Sequence, residues 1–379
     1  MKSHKHQLLA STALATAVMF SSSALAQEKK EAMAEEEMAE EEFEPVAPHF
    51  TLGGFYFFDA HFADVDGVDD RAPVQMEHDM EVHFNAVGEL DNGIMVTGHV
   101  EFEGAGGARV DDHWITVDGG WGRVMMGATD AVSGKTQVTA PASAYGVTSG
   151  LQTDWFHGSV ADGDTKALHP CPFRCALGGA RLHAGTDDTG VHYFSPRFNG
   201  FAFAVGFRPE ASGAKSENKG PIDETMVHHN AVDGALTYQG EMSGIGISAS
   251  AATGMAAAPE GEDDISYVTS GLRLSAMGFT VGGHIANEST DSMRNGNSFG
   301  LGVSYGQGPW TVAADMFSGS IRGTDAPGDH EYDAWAIGGQ YVIGPGLRVL
   351  AGYQSVSLDR DDMATADGTA FTAGVAVNF

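Results

Sequence analysis

From residue 50 onward the chain alternates apolar and polar positions with a period of two. Phe371, Ala373, Val375, Val377 and Phe379 are apolar, whereas Thr372, Gly374, Ala376 and Asn378 between them are small or polar. A strand sends successive side chains to opposite faces, so this stretch predicts one apolar face and one wet or narrow face. Val74, Met76, Met80, Val82, Phe84 and Ala86 repeat the scheme, with only His78 out of place, and Gln75, Glu77, Asp79, Glu81, His83 and Asn85 share the opposite face. Next come Val96, Gly98, Val100 and Phe102 against Thr97, His99, Glu101 and Glu103. Strands of soluble sheets run to about five or six residues. These approach the roughly ten that a tilted membrane strand needs.

The connections alternate in length. Short turns stand at "LDNG", "DGGWG", "SPRFNG", "QGEMSG", "SAMG", "GQGP" and "VIGPG", and longer polar loops lie between them, such as "ADVDGVDDRAP", "GMAAAPEGEDD", "NESTDSMRNG", "SIRGTDAPGDH" and "DRDDMATADG". Hairpins threaded through a membrane produce this asymmetry, with tight turns on one side and long loops on the other. The reading is sixteen strands, at 51–63, 74–88, 93–104, 109–118, 122–128, 189–196, 201–209, 227–240, 245–252, 265–276, 279–286, 297–306, 310–319, 331–342, 347–358 and 369–379. The expected fold is all-β, a 16-stranded antiparallel transmembrane β-barrel. The even number lets the last strand pair antiparallel with the first, and lipid covers the apolar face that ends in Phe379.

Composition sharpens this picture. Mean hydropathy is −0.15, and after Phe20 no stretch of about 18 apolar residues occurs. Barrel strands escape hydropathy plots because only alternate residues meet lipid. Basic residues followed by "LLASTALATAVMF" and Ala24-Leu25-Ala26 predict a secretory signal peptide over 1–26. Residues 27–49 form an acidic leader with too little apolar surface to fold alone, and 50–379 are the barrel. The net charge is −31. Because lipid-facing positions tolerate few charges, the acidic excess must lie in loops and lumen.

Several segments together resemble the Gram-negative general porins, particularly those of alphaproteobacteria: "LDNGIMVTGHVEFEG", "DGGWGRVMMGATD", "VHYFSPRFNGFAFAVGFRPE", "FGLGVSYGQGPWTVAADMF" and the terminal "AGVAVNF". The resemblance spans about residues 50–379. It implies a homotrimer in contact with outer-membrane lipid and lipopolysaccharide, and passive diffusion of small hydrophilic solutes. It also implies a terminal Phe379 read by the barrel-assembly machinery. In that family the third long loop folds into the barrel and forms the constriction, and "GATD" at Gly127 to Asp130 matches its start. Here the connection runs from Thr129 to about Asp188. An acidic side of the constriction is expected from Asp154, Asp162, Asp164, Asp187 and Asp188, and a basic wall from Arg123, His83, His99 and Arg109. The alternative is that these are ordinary polar residues of the lumen.

The only two cysteines, Cys171 and Cys175, sit in "HPCPFRC" within that loop. A zinc site usually needs about four ligands at regular spacing. An exported chain with two cysteines four apart points instead to a local disulfide. No metal or cofactor is expected, nor any nucleic-acid partner. "GVSYG" fits G-x-S-x-G but lies within an alternating strand rather than at a strand-turn-helix elbow, so no nucleophile is assigned. The inward Glu77, Asp79, Glu81, Glu101 and Glu103 place negative charge along one wall, which predicts a cation-preferring pore. Divalent cations are expected partners of the outer loops. A channel selective for a sugar or an anion, an outer-membrane hydrolase and a purely structural barrel remain the other readings.

Overall fold

The computed structural model describes residues 48–66, 72, 74–104, 109–147, 154–157, 188–211, 224, 228–261, 264–290, 294–322, 330–361 and 365–379. Sixteen antiparallel strands close into one barrel, each beside its sequence neighbours. They are β1 (His49–Val65), β2 (Val74–Glu89), β3 (Met95–Glu103), β4 (Arg109–Gly119), β5 (Gly122–Ala128), β6 (Thr189–Phe194), β7 (Phe201–Glu210), β8 (His229–Met242), β9 (Ile245–Ala257), β10 (Ile265–Ala276), β11 (Phe279–Thr290), β12 (Arg294–Gln307), β13 (Trp310–Arg322), β14 (His330–Gly344), β15 (Leu347–Arg360) and β16 (Ala366–Asn378). Two short helices, α1 (Val132–Thr136) and α2 (Asp154–His157), lie in the connection after β5. Among the described residues no helix is long and apolar enough to cross a membrane.

Closure occurs between β1 and β16, with Phe58 opposite Val375 and Phe62 opposite Phe371. Gly54 donates its N–H to the Phe379 carbonyl at 3.0 Å, and Phe379 returns the bond to Gly54 at 3.1 Å. The last residue therefore completes the ladder, and a closed barrel leaves no sheet edge. Its ring stays on the outer surface, 58% exposed.

The alternation in sequence becomes inside and outside. Outward aromatics form two bands. Cross-strand pairs Phe201–Tyr238, Phe279–Tyr305 and Trp310–Tyr341 lie near the short turns, with ring centroids 4.5 to 4.7 Å apart. Trp335–Tyr353 and Phe62–Phe371 lie toward the long-loop side. Amphipathic rings at two levels mark the two boundaries of an apolar belt. Tight turns hold the lower rim. At Ser243-Gly244 and Met277-Gly278 both residues have positive φ, the twist that suits a two-residue hairpin.

The strands reach further than the alternation indicates. Strands run into the segments expected to be loops at 254–264, 287–296, 320–330 and 359–368: β9 reaches Ala257, β11 Thr290, β13 Arg322 and β15 Arg360. Beyond the upper aromatic band the outward residues turn polar or acidic, as at Asp64, Glu331, Asp333, Asp359 and Asp367. Backbone pairing continues there although the apolar signal has ended. At the lower end, β6 stops at Phe194 rather than 196, because residues 195–200 form the turn.

Candidate functional site

After β5 the chain enters the barrel and follows its inner wall, tied to one strand after another. Inward polar side chains take the loop's backbone groups. Asp233 of β8 accepts the Ser133 N–H at 3.0 Å, and Ser250 of β9 accepts that of Val138 at 2.8 Å. Arg273 of β10 donates to the Thr139 carbonyl at 2.8 Å, and His284 of β11 accepts the Ala140 N–H at 3.0 Å. Asp315 of β13 accepts from Ser143 at 2.7 Å and from Val147 at 2.6 Å. Gln354 of β15 donates to the Tyr145 carbonyl at 2.9 Å and accepts from the Trp155 indole at 2.7 Å. Buried backbone N–H groups need such partners, so the path is set by where these side chains stand.

The wall also makes room. A Cβ at Gly271 would overlap the Val138 carbonyl, and one at Gly302 the Pro141 carbonyl. Tyr145, Trp155 and Phe156 are buried against β13 to β16 and β1. Burial, and then the charge of Asp59, push the Tyr145 hydroxyl above the ordinary tyrosine range. One half of the lumen is thus filled from β8 round to β16.

Among the described residues, the uncovered part of the lumen wall lies along β1 to β6. Register places Gln75, Glu77, Asp79, Glu81, His83 and Asn85 inward on β2, and Thr97, His99, Glu101 and Glu103 inward on β3. His83 pairs with Glu81 at 2.9 Å, and His99 with Glu101 at 2.7 Å. Asn85 bonds the other nitrogen of His99 at 2.6 Å, and the His99 ring stacks on Trp114 at 4.4 Å. Arg123 on β5 pairs with Asp118 on β4, and Lys135 of α1 lies 3.8 Å from Asp112. A cavity of about 630 Å³ runs between Asp118, Arg123, Lys135 and Phe194. Another of about 410 Å³ is lined by Phe55, Phe57, Asp79, His83 and Arg348. The histidines expected on a basic wall therefore stand among the carboxylates, on the same strands.

The remaining expected residues distribute differently. Arg109 opens β4 opposite Glu103. Asp154 opens α2. Asp188 is fully buried just before β6, where its carbonyl accepts from Thr129 at 3.4 Å. Asp162, Asp164, Asp187, Cys171 and Cys175 lie outside the described residues. Sequence reading passed over Asp118, Arg348, Lys135, Asp59 and His61. The parity of β1, β4 and β15 carried the signal for Asp59, His61, Asp118 and Arg348, since each falls at an inward position. Lys135 sits on a loop helix and had no such signal.

A family model described as Gram-negative porin matches residues 10–361. No curated protein matches the sequence. Among solved structures, OmpT in trimer form, an outer-membrane protein of Vibrio cholerae, superposes with a TM-score of 0.61 at 12% identity, covering 88% of this chain and 100% of that one. An anion-selective porin from Comamonas acidovorans gives 0.56 at 12% identity, covering 87% and 100%. A variant of the Rh. blastica porin gives 0.52 at 15%, again covering 87% and 100%. At such identities the likeness is one of fold.

Proposed function

Given that this chain belongs to the Gram-negative porin family and is an outer-membrane β-barrel, we propose that it forms a water-filled channel for passive diffusion of ions and small hydrophilic solutes, with a preference for cations. The observation that carries the preference is the open wall of the lumen. Glu77, Asp79, Glu81, Glu101, Glu103 and Asp118 face inward on β2 to β4, against Arg123, Lys135 and Arg348 beside the two cavities. A cleft with an excess of one sign concentrates the opposite ion. A narrow lumen comparable to the Debye length of about 8 Å at physiological salt is not fully screened. One structural neighbour is described as anion-selective. The barrel fold by itself therefore implies no cation preference. Reversal potential in a KCl gradient across a planar bilayer tests this, and a sign indicating chloride preference would sink it.

The chain is further read as a homotrimer, in line with the trimer form of its Vibrio cholerae structural neighbour. Residues 1–26 are read as a signal peptide and 27–49 as an acidic leader. The outward Asp64, Glu331, Asp333, Asp359 and Asp367 above the aromatic band support divalent cations bridging to lipopolysaccharide. Phe379 is read as the mark used by the barrel-assembly machinery. Cys171 and Cys175 are assigned to a local disulfide, which mass spectrometry of unreduced protein tests by a loss of two protons. Two free thiols would refute it.

A further inference from the structure

The geometry points to a divalent transition-metal site on the upper inner wall, formed by Asp59, His61 and Glu77. Asp59 and His61 occupy successive inward positions of β1, and Glu77 is the register partner of Asp59 on β2. His61 Nε2 lies 2.9 Å from Asp59 Oδ1 and 3.4 Å from Glu77 Oε2. All three candidate ligand atoms lie within 4.8 Å of one another. Ligands held about 2.0–2.1 Å from a tetrahedral zinc ion stand about 3.3 Å apart, so the spacing fits one ion at the centre.

Two of these groups are buried and meet each other only as a poorly aligned ion pair. The side chains of Asp59 and His61 are 4% and 7% exposed, and neither Asp59 Oδ1 nor His61 Nε2 makes a well-aligned hydrogen bond. Their 2.9 Å separation therefore lacks the directionality of a bond. A proton on Nε2 can serve only one carboxylate well, whereas a cation serves all three atoms together. A buried carboxylate needs compensating positive charge close by, and a cation at the centre supplies it to both carboxylates at once.

The outer shell is arranged as a metal-bound histidine requires. Nδ1 of His61 lies 2.8 Å from the Thr372 hydroxyl on β16. With Nδ1–H donated to that oxygen, the Nε2 lone pair is aimed at the carboxylates. The ring of Tyr145, seated by the inward loop, packs edge-on at 6.4 Å. Three strands and the loop thus fix the ligands before any ion arrives. Glu77 remains 49% exposed in its side chain, which leaves an access route from the lumen and a position for water or a solute. One imidazole with two carboxylates suits borderline first-row cations such as Zn²⁺ better than Ca²⁺ or Mg²⁺, which take oxygen ligands.

The histidines lower on the wall differ. His83 and His99 each have a hydrogen-bonded carboxylate partner, and His99 is bonded at both nitrogens. They leave no unsatisfied buried nitrogen for an ion.

The test is Zn²⁺ binding to the full, chelator-stripped protein in detergent, by calorimetry and zinc-edge X-ray absorption. It reads binding rather than current, so its outcome is separate from that of the channel reading. One strongly bound ion per chain is expected, with a single nitrogen ligand and the rest oxygen. His61→Ala and Glu77→Gln should abolish that ion. Thr372→Val, which acts only by positioning the ring, should weaken it by about 10- to 100-fold. His83→Ala should leave it unchanged. Glu77 is exposed, so its variant keeps the test valid if His61→Ala misfolds. No stoichiometric ion in the wild type, or one that survives Glu77→Gln, overturns the site.

Discussion

A methyl group on Gly302 would overlap the carbonyl oxygen of Pro141. The inner wall of β12 and the crest of the inward loop are fitted to each other at that point. Gly302→Val should push the loop off the wall, because overpacking a tight contact costs about 1–3 kcal/mol. We expect a larger and noisier single-channel conductance with an unchanged barrel melting transition. An unaltered conductance in folded protein would show that the loop does not limit the pore.

Asp315 holds the same loop by its backbone. It accepts from Ser143 and Val147 at sites that are buried. Hydrogen bonds to a charged group contribute about 1.5–3 kcal/mol each. Asp315→Ala should therefore unseat the loop, and Asp315→Asn, which keeps one acceptor oxygen, should do so about half as strongly. Amide exchange at residues 143–147 reports the change, while the β-strand amides should stay protected.

Charge on the open wall should be separable from charge on the outer rim. The double change Glu81→Gln and Glu101→Gln should lower cation preference in bilayer recordings. Asp333→Asn, an outward change above the aromatic band, should leave the reversal potential alone. The preference should also fade in about 1 M salt, where the Debye length shrinks to about 3 Å. Equal effects from the rim and wall variants would contradict this assignment.

Phe379 closes the barrel with two backbone bonds to Gly54, and any residue with a backbone can make them. A charge near the membrane interface costs only about 0–1 kcal/mol. If Phe379→Asp merely added that cost, heat-modifiable protein would still reach the outer membrane in near-normal amounts. The proposed role of the terminal aromatic in recognition by the assembly machinery predicts a far larger loss. Surface levels within about twofold of wild type would exclude that role, since a cost of that size changes an equilibrium by no more than a few-fold.

The barrel was legible from the chain because its rule is local. A period of two assigns each side chain to a face from its immediate neighbours, and Gly-containing turns mark every reversal. The count of sixteen, the closing pair of β1 with β16, and the inward facing of Glu81, His83, His99 and Glu101 all follow from that rule. The strand extensions at β9, β11, β13 and β15 were hidden because the rule reads lipid contact, and pairing outlasts the lipid. The loop's course was illegible for a different reason. Ser133 meets Tyr267, Ser143 meets Asp315 and Trp155 meets Gln354 across separations of 134, 172 and 199 residues, and no periodicity spans such distances. The same holds for the lumen's chemistry. Asp59 and His61 looked like two polar positions of an aromatic strand until closure brought Thr372 of β16 behind the ring and Glu77 of β2 beside it. Parity decides which residues face inward, and only barrel closure and the seated loop decide which of them meet.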